Sequence, residues 1–374
     1  MPVPEELFAT LRRHPDVEAP NLHAVDAADR LILDEAAEAV AAAGPGRVAV
    51  IGDRYGALTL GAIAGFGAND VRVHQDPLTG ELALAGNADR AGLADSYRRC
   101  ELGAELLAGA TVVLVQLPRS LAALTEIAET VARYADPSVT VFAGGRDKHL
   151  THAFNEVLAT CFGDVHATRG RQKSRVLVAA QPTPVPPTYP RTEHLADLDL
   201  DVVAHGAAFA GATLDIGTRF LLDFLPRTDP AARVAVDLGC GTGILAVALA
   251  RLRPDLDVIA TDQSAAAVAS AAATAAVNGA ARVTVLRDDA MSSLAEGSVD
   301  LIVCNPPFHV GAAVHTGAAL AMFRAAGRVL RSGGELWTVY NSHLGYRSAL
   351  RTAVGETDQV GRNPKFTVTR SVAR

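Results

Sequence analysis

The stretch Val236-Asp237-Leu238-Gly239-Cys240-Gly241-Thr242-Gly243-Ile244 decides the fold. An apolar run passes into a D-x-G-x-G-x-G turn and then into a helix-forming segment, the pattern of a strand opening a parallel sheet. Glycines let the backbone take turn geometries that a Cβ would block and let a ligand approach closely. Dinucleotide-binding and purely structural turns share this look, so the flanking sequence has to decide between them.

Outward from the turn, short runs rich in Val, Leu and Ile alternate with Ala-rich stretches of helical length, as in parallel strands with crossover helices. Strands are expected at 234–238, 258–261, 283–286, 301–304, 336–340 and 366–372. The clearest helix runs from Ser264 to Val277, with Ser264 as its cap and Asn278-Gly279 as its stop. The first half repeats the plan in weaker form, with strands at 48–51, 71–74, 112–116 and 139–142. Placing Gly56 against Gly243 sets Val50 opposite Asp237 and Arg54 opposite Gly241, and Asp76 follows Gly56 at nearly the spacing of Asp262 from Gly243. The expected fold class is α/β: two tandem Rossmann-like domains with doubly wound sheets, the first degenerate. Five prolines between Gln181 and Pro190 mark the boundary, because proline runs form extended connectors. The expected division is residues 1–180, a linker at 181–190, and a catalytic domain at 191–374.

The chain has 374 residues, 49% hydrophobic and 20% charged, enough for two cores. Its N-terminus, Met1-Pro2-Val3-Pro4-Glu5-Glu6, lacks the layout of a secretion signal, and no run reaches membrane-span length. A cytoplasmic protein with no membrane partner is expected. Cys100, Cys161, Cys240 and Cys304 lie far apart, so free thiols and no metal site are expected. Net charge is −7, of which residues 1–190 carry −6 from 17 basic and 23 acidic side chains. Any binding of a polyanion must therefore be concentrated in a local patch. The candidates are Arg146, Lys148, Arg169, Arg171, Lys173 and Arg175, with a second group at Arg362, Lys365 and Arg370.

Two later acids sharpen the reading of the turn. Asp262 ends the next strand, where a carboxylate can accept from ribose hydroxyls, and Asp289 follows the third strand, placed to accept from an adenine amino group. Either could instead cap a helix. Phosphate-bearing cofactors fit poorly, because no G-x-x-x-x-G-K-[ST] loop is present and Asp237 would repel a pyrophosphate. The positively charged amino acid end of S-adenosylmethionine (SAM) suits Asp237, directly or through water, beside the turn of Gly239, Gly241 and Gly243.

The fourth strand ends in Cys304-Asn305-Pro306-Pro307-Phe308-His309. Strand ends at the crevice of an open sheet are where substrates bind. Two prolines lack N–H donors and hold the chain extended, leaving the Asn305 side-chain oxygen and the Pro306 carbonyl as acceptors. Aimed at one NH2 group, they would turn its lone pair toward a methyl donor, which is catalysis by positioning. Phe308 would stack on a planar substrate. Cys304 has no nearby sequence partner to activate it and reads as a buried strand residue.

With these motifs in order, the chain resembles the RsmC/RlmG family of bacterial ribosomal RNA guanine-N2 methyltransferases over nearly its whole length. Further support comes from 209–220 (Phe-Ala-Gly-Ala-Thr-Leu-Asp-Ile-Gly-Thr-Arg-Phe), from Gly333-Gly334-Glu335-Leu336, from 340–346, and from Lys365-Phe366. Ala143-Gly144-Gly145-Arg146-Asp147-Lys148-His149-Leu150 and Lys173-Ser174-Arg175 look closer to the large-subunit branch. The resemblance implies SAM as methyl donor, S-adenosyl-L-homocysteine as product, ribosomal RNA as partner (23S, free or in an assembly intermediate) and a monomer. It implies cofactor roles for Asp237, Gly239, Gly241, Gly243, Asp262, Asp289 and Asn305, and catalytic roles for Asn305, Pro306, Pro307 and Phe308. Where a working first copy would carry N-P-P-F, Gln116-Leu117-Pro118-Arg119 stands instead, so that copy should bind no SAM. A 16S target, a protein-glutamine or small-molecule N-methyltransferase, and a non-catalytic scaffold remain as alternatives.

Overall fold

Two seven-stranded sheets with one strand order organise the chain. The structure, a computed structural model, describes residues 5–307 and 315–374. The first sheet contains β1 (Val48–Ile51), β2 (Val71–His74), β3 (Tyr97–Arg99), β4 (Val112–Gln116), β5 (Thr140–Arg146), β6 (Phe162–Ala167) and β7 (Ser174–Pro182). A hairpin follows, pairing the exposed, polar β8 (Arg191–Leu195) with the largely buried β9 (Leu200–Ala204). The second sheet contains β10 (Val234–Leu238), β11 (Asp257–Asp262), β12 (Val283–Arg287), β13 (Val299–Cys304), β14 (Leu330–Asn341), β15 (Gly355–Arg362) and β16 (Phe366–Ala373). The orders are β3-β2-β1-β4-β5-β7-β6 and β12-β11-β10-β13-β14-β16-β15. In each sheet one strand is reversed, β7 in the first and β16 in the second, and it pairs antiparallel with both of its neighbours while the other pairings are parallel.

Burial explains why the central strands read as unbroken apolar runs: β1, β4 and β13 are buried along their whole length. Alternate residues feed two cores, one on each side of the sheet. In the second unit Ala235, Val258, Leu301, Val303 and Trp337 belong to one core, and Val236, Leu238, Ile302, Cys304 and Leu336 to the other. The first unit sorts Val50, Val73 and Leu114 from Ile51, Val113 and Val141 in the same way.

The helix Ala265–Val277 is capped by Ser264, whose hydroxyl accepts from the Ala267 N–H. Its polar residues serve the free edge of β9: Ser270 and Thr274 hydroxyls and the Asn278 side-chain oxygen accept from the N–H groups of His205, Val203 and Asp201. An edge that would otherwise expose unpaired donors is closed by one helical stripe.

The chain divides into two compact units, Met1–Tyr189 and Pro190–Arg374. The extended proline-rich stretch at 181–190 is held along its length. Gln181 and Pro182 finish β7, and the residues beyond are fastened to the first unit. Thr183 N–H donates to Cys161 O, Arg133 donates to Val185 O, and Thr188 donates twice to the Glu129 carboxylate. Proline removes donors but leaves carbonyls, and the Thr residues between supply the N–H and O–H groups that anchor the segment.

Candidate active site

The turn after β10 keeps the backbone its glycines foretell. Gly239, Gly241 and Gly243 all have positive φ, at 75°, 53° and 80°. Gly243 is also sterically fixed, since a Cβ there would lie 3.0 Å from the Ala271 backbone of the neighbouring helix. A cleft at this end of the sheet is bounded by Gly239, Gly241, Phe209, Asp215, Thr218 and Asn305.

Asp237 lies behind the turn, 1% exposed, with Oδ2 accepting from the Ala246 N–H at 3.0 Å and Oδ1 buried without a partner. Burial pushes its carboxyl up to about 7, the Ala246 N–H opposes the rise, and nearby Asp262 adds to it. Asp262 ties the turn to the next helix, its two oxygens accepting from the Gly241 and Ser264 N–H groups. Asp288 takes the structural task on the third strand's loop, accepting from the N–H and hydroxyl of both Ser292 and Ser293. Its neighbour Asp289 is half-buried, and Ala290 and Met291 after it hold left-handed φ values of 48° and 58°. Such backbone is uncommon for side-chain-bearing residues and gathers at functional loops.

Asn305 follows β13 and is the best-defined polar group of the cleft. Its Nδ2 donates to Asp215 Oδ2 and to Thr218 Oγ1, both at 2.9 Å. Those two donations fix which way the amide faces and leave Oδ1 buried with no partner. Asp215 caps the helix Ile216–Leu222, accepting from the Gly217 and Thr218 N–H groups. Gly217 makes room: a Cβ there would lie 2.9 Å from Asp215 Oδ2 and 3.3 Å from Asn305 Oδ1. The segment 209–220 stands out in sequence only for its family resemblance, and the clamp it forms with Asn305 is not legible there. The signal available was the D-x-G-T cap motif of Asp215 to Thr218, with no indication of which strand it would meet. Pro306 is buried and Pro307 exposed, while Phe308 and His309 lie outside the described residues. Burial, and then Asp237, push the Cys304 thiol far up, which suits the strand residue expected and not a nucleophile.

The first unit repeats this architecture with other side chains. Gly52, Arg54 and Gly56 have φ of 76°, 59° and 99°, matching the three glycines of the second turn. Strand pairing of Ala49 with Val113 and of Val236 with Ile302 places Gln116 where Asn305 stands. Gln116 Nε2 donates to Asp29, three residues into a helix capped by Asp26, as Asn305 does to Thr218. One detail differs from the spacing argument. Val50 pairs with Val73 and Asp237 with Ala260, so buried Gln75 rather than Asp76 occupies the place of Asp262. No carboxylate stands at either of the positions held by Asp237 and Asp262.

The six basic candidates of the first unit are all exposed. Arg171 pairs with Asp34 at 2.8 Å and Arg175 with Asp147 at 3.3 Å, and exposed pairs of this kind are worth little. Among the described residues no group of three His, Cys, Asp or Glu is placed to hold a metal ion, and no helix is long and apolar enough to cross a membrane.

Comparison with known proteins follows the same division. A model of the RLMG N-terminal domain matches residues 4–184 and one of the methyltransferase small domain matches residues 199–370. Ribosomal RNA large subunit methyltransferase G of Pseudomonas aeruginosa (strain UCBPP-PA14) is 37% identical, covering 98% of this chain and 99% of its own. The protein of the same name from Streptomyces avermitilis is 34% identical, with 97% of each covered. Among solved structures, the T. thermophilus 16S rRNA N2 G1207 methyltransferase RsmC, in complex with AdoMet and guanosine, superposes with a TM-score of 0.73 over 99% of both chains at 22% identity, a likeness of fold.

The clamp gives one direct test. Thr218→Val removes one of two acceptors of the Asn305 amide while keeping its volume. At about 1 kcal/mol for the hydrogen bond, the Asn305 side-chain NH2 protons should exchange with water roughly fivefold faster by NMR. An unchanged exchange rate would show that Thr218 does not hold the amide.

Proposed function

The chain belongs to the ribosomal RNA large subunit methyltransferase G family, and from that membership we propose that it transfers a methyl group from SAM to the exocyclic N2 of a guanine in 23S ribosomal RNA. The observation that carries the reading is Asn305: an amide fixed by Asp215 and Thr218, with an unpartnered buried carbonyl at a strand end beside the glycine turn.

The residues fit the cofactor. Asp237 offers a second unpartnered buried oxygen toward the ammonium end of SAM, directly or through water. Asp262 serves the ribose hydroxyls and Asp289 the adenine amino group, while Gly239, Gly241 and Gly243 keep the turn open. When bound, SAM supplies an electrophilic methyl on a sulfonium that departs as the neutral thioether of S-adenosyl-L-homocysteine. Asn305 Oδ1 and the Pro306 carbonyl each accept one N–H of the guanine amine and direct its lone pair at that methyl. The amine forms the new N–C bond and gives one proton to solvent. Neither carbonyl is a base, and none is required. Pro307 keeps the acceptors at a fixed spacing, and Phe308 stacks on the base. Arg146, Lys148, Arg169, Arg171, Lys173 and Arg175 of the first unit serve the RNA backbone, either on free RNA or on an assembly intermediate. The enzyme acts as a cytoplasmic monomer.

The reading is tested by transfer of labelled methyl from SAM to 16S and 23S ribosomal RNA lacking the modification, followed by nucleoside analysis. N2-methylguanosine in 23S is expected, with Asn305→Ala losing transfer and keeping SAM affinity. Product in 16S would change the RNA target. Label in neither, from protein that binds SAM, would point to a protein-glutamine or small-molecule acceptor.

The raised carboxyl of Asp237 adds a pH signature. Below about 7 it holds a proton that must leave before an ammonium can sit beside it. SAM affinity should therefore fall with decreasing pH below about 7, by up to about tenfold per unit, and level off above it. Asp237→Asn should flatten that profile. Without ligand the sign is opposite for stability: the folded state holds a proton the unfolded chain has lost, so stability declines as pH rises from about 4 to about 7. SAM affinity that stays constant across this range in calorimetric titrations would remove Asp237 from the cation site.

A further inference from the structure

The first unit's counterpart of the catalytic crevice has not been filled in; its charge has been reversed. At the same ends of β1, β4 and β5 lies a cleft of about 200 Å³, bordered by Arg54, Arg119, Arg146, Lys148 and His149. Strand register explains how the cations came together. Arg54 occupies the place of Gly241, and Arg119 stands three residues beyond Gln116, the place of Phe308 beyond Asn305. Arg54 keeps the left-handed backbone of the glycine it replaces, at φ 59°, a conformation L-residues rarely take. The turn has been retained and a guanidinium set on it.

These cations are poorly neutralised. Arg54 has one carboxylate partner, Asp26, at 3.5 Å. Among the described residues the side chains of Arg119, Arg146 and Lys148 have no ion-pair or hydrogen-bond partner. Of the acids beneath, Asp29 is pushed by burial up to about 8, so it is largely protonated at neutral pH and offsets the cations weakly, while Asp53, at about 6, turns its oxygens to the Leu58 and Thr59 N–H groups. His149 shares the cleft with these four side chains, and desolvation first and then Lys148, Arg119, Arg146 and Arg54 hold its imidazole below the ordinary value. On a unit of net charge −6 this is a focused positive site. SAM, itself cationic, would be repelled, and Val50 and Gln75 give it no carboxylate.

We propose that this crevice binds a phosphate group of single-stranded RNA, with Arg54, Arg119, Arg146 and Lys148 as its ligands. Guanidinium forks match phosphate oxygens in pairs, and Lys148 adds a point charge. Leu117, Pro118 and Phe154 line the same cleft and offer the adjoining nucleotide an apolar wall. The inference rests on the reading of the chain as an RNA methyltransferase and adds to the basic face of its first unit a defined phosphate site.

The test uses the full chain and a short fluorescently labelled single-stranded RNA, followed by anisotropy over a range of salt. The double variant R119A/K148A should bind about tenfold more weakly, with a log K against log salt slope shallower by about 1.4, two phosphate contacts at about 0.7 each. R119K/K148R, which keeps both charges, should restore most of the affinity and shows that loss does not come from misfolding. Arg98→Ala, on the edge strand β3, should change nothing. Inorganic phosphate should compete with RNA on the wild type and not on R119A/K148A. Unchanged affinity and slope in the double variant, or an equal loss in Arg98→Ala, would overturn the site. Phosphate binding without RNA binding would assign the crevice to a free phosphate and overturn the RNA assignment. SAM binding and methyl transfer are read separately: transfer that persists with crevice variants binding RNA normally defeats this site alone, and RNA bound at the crevice without any transfer defeats the enzymatic reading alone.

Discussion

The orientation of one carboxamide governs the candidate site. An asparagine at a strand end can face either way, and only one orientation leaves an acceptor for a substrate amine. Here the choice is made by Asp215 and Thr218, which take both donations of Asn305 Nδ2 and leave Oδ1 buried and unpaired. The clamp depends on a helix cap: Asp215 is positioned because it also accepts from the first-turn N–H groups of Ile216–Leu222. It depends as well on a missing Cβ at Gly217. A buried polar atom without a partner is costly, and Asn305, lining the cleft, has in Oδ1 an acceptor that a ligand amine can satisfy.

The same skeleton occurs twice, and comparison of the copies separates what the fold needs from what the chemistry needs. Both turns hold three positive φ values, both strand-end amides donate to the third residue of a capped helix, and both sheets share one order. These belong to the architecture. The carboxylates Asp237 and Asp262 occur in one copy only, with Val50 and Gln75 opposite them, and Arg54 replaces a glycine without disturbing the turn. Those positions differ between the copies while the architecture stays, and they are the ones proposed to meet the ligand. Positive φ at Gly241 is thus compatible with a side chain, and its glycine reads as clearance for a ligand.

Much of the architecture was legible in sequence because the central strands are buried on both faces and so read as unbroken apolar runs; β1, β2, β4 and β10 begin and end where expected. Strands with little apolar content escaped: β3 has three residues, two of them exposed, and β8 is almost wholly exposed. β15 pairs at the sheet edge with a glycine-interrupted pattern that reads as loop. At the site, the residues that sequence singles out sit in or beside a recognisable turn, whereas Asp215 and Thr218 carry no such local signal because they reach Asn305 across 90 and 87 positions of chain. The Ser270, Thr274 and Asn278 stripe was hidden in the same manner, its spacing visible but its partner strand β9 unrecognised.

The most direct measurement of the central claim is a crystal structure of the protein with S-adenosyl-L-homocysteine and guanosine monophosphate. The guanine N2 should sit between Asn305 Oδ1 and the Pro306 carbonyl at about 2.7–3.2 Å from each, with Asn305 Nδ2 still on Asp215 and Thr218. An N2 placed elsewhere, or an Asn305 amide turned so that Nδ2 faces the base, would contradict it.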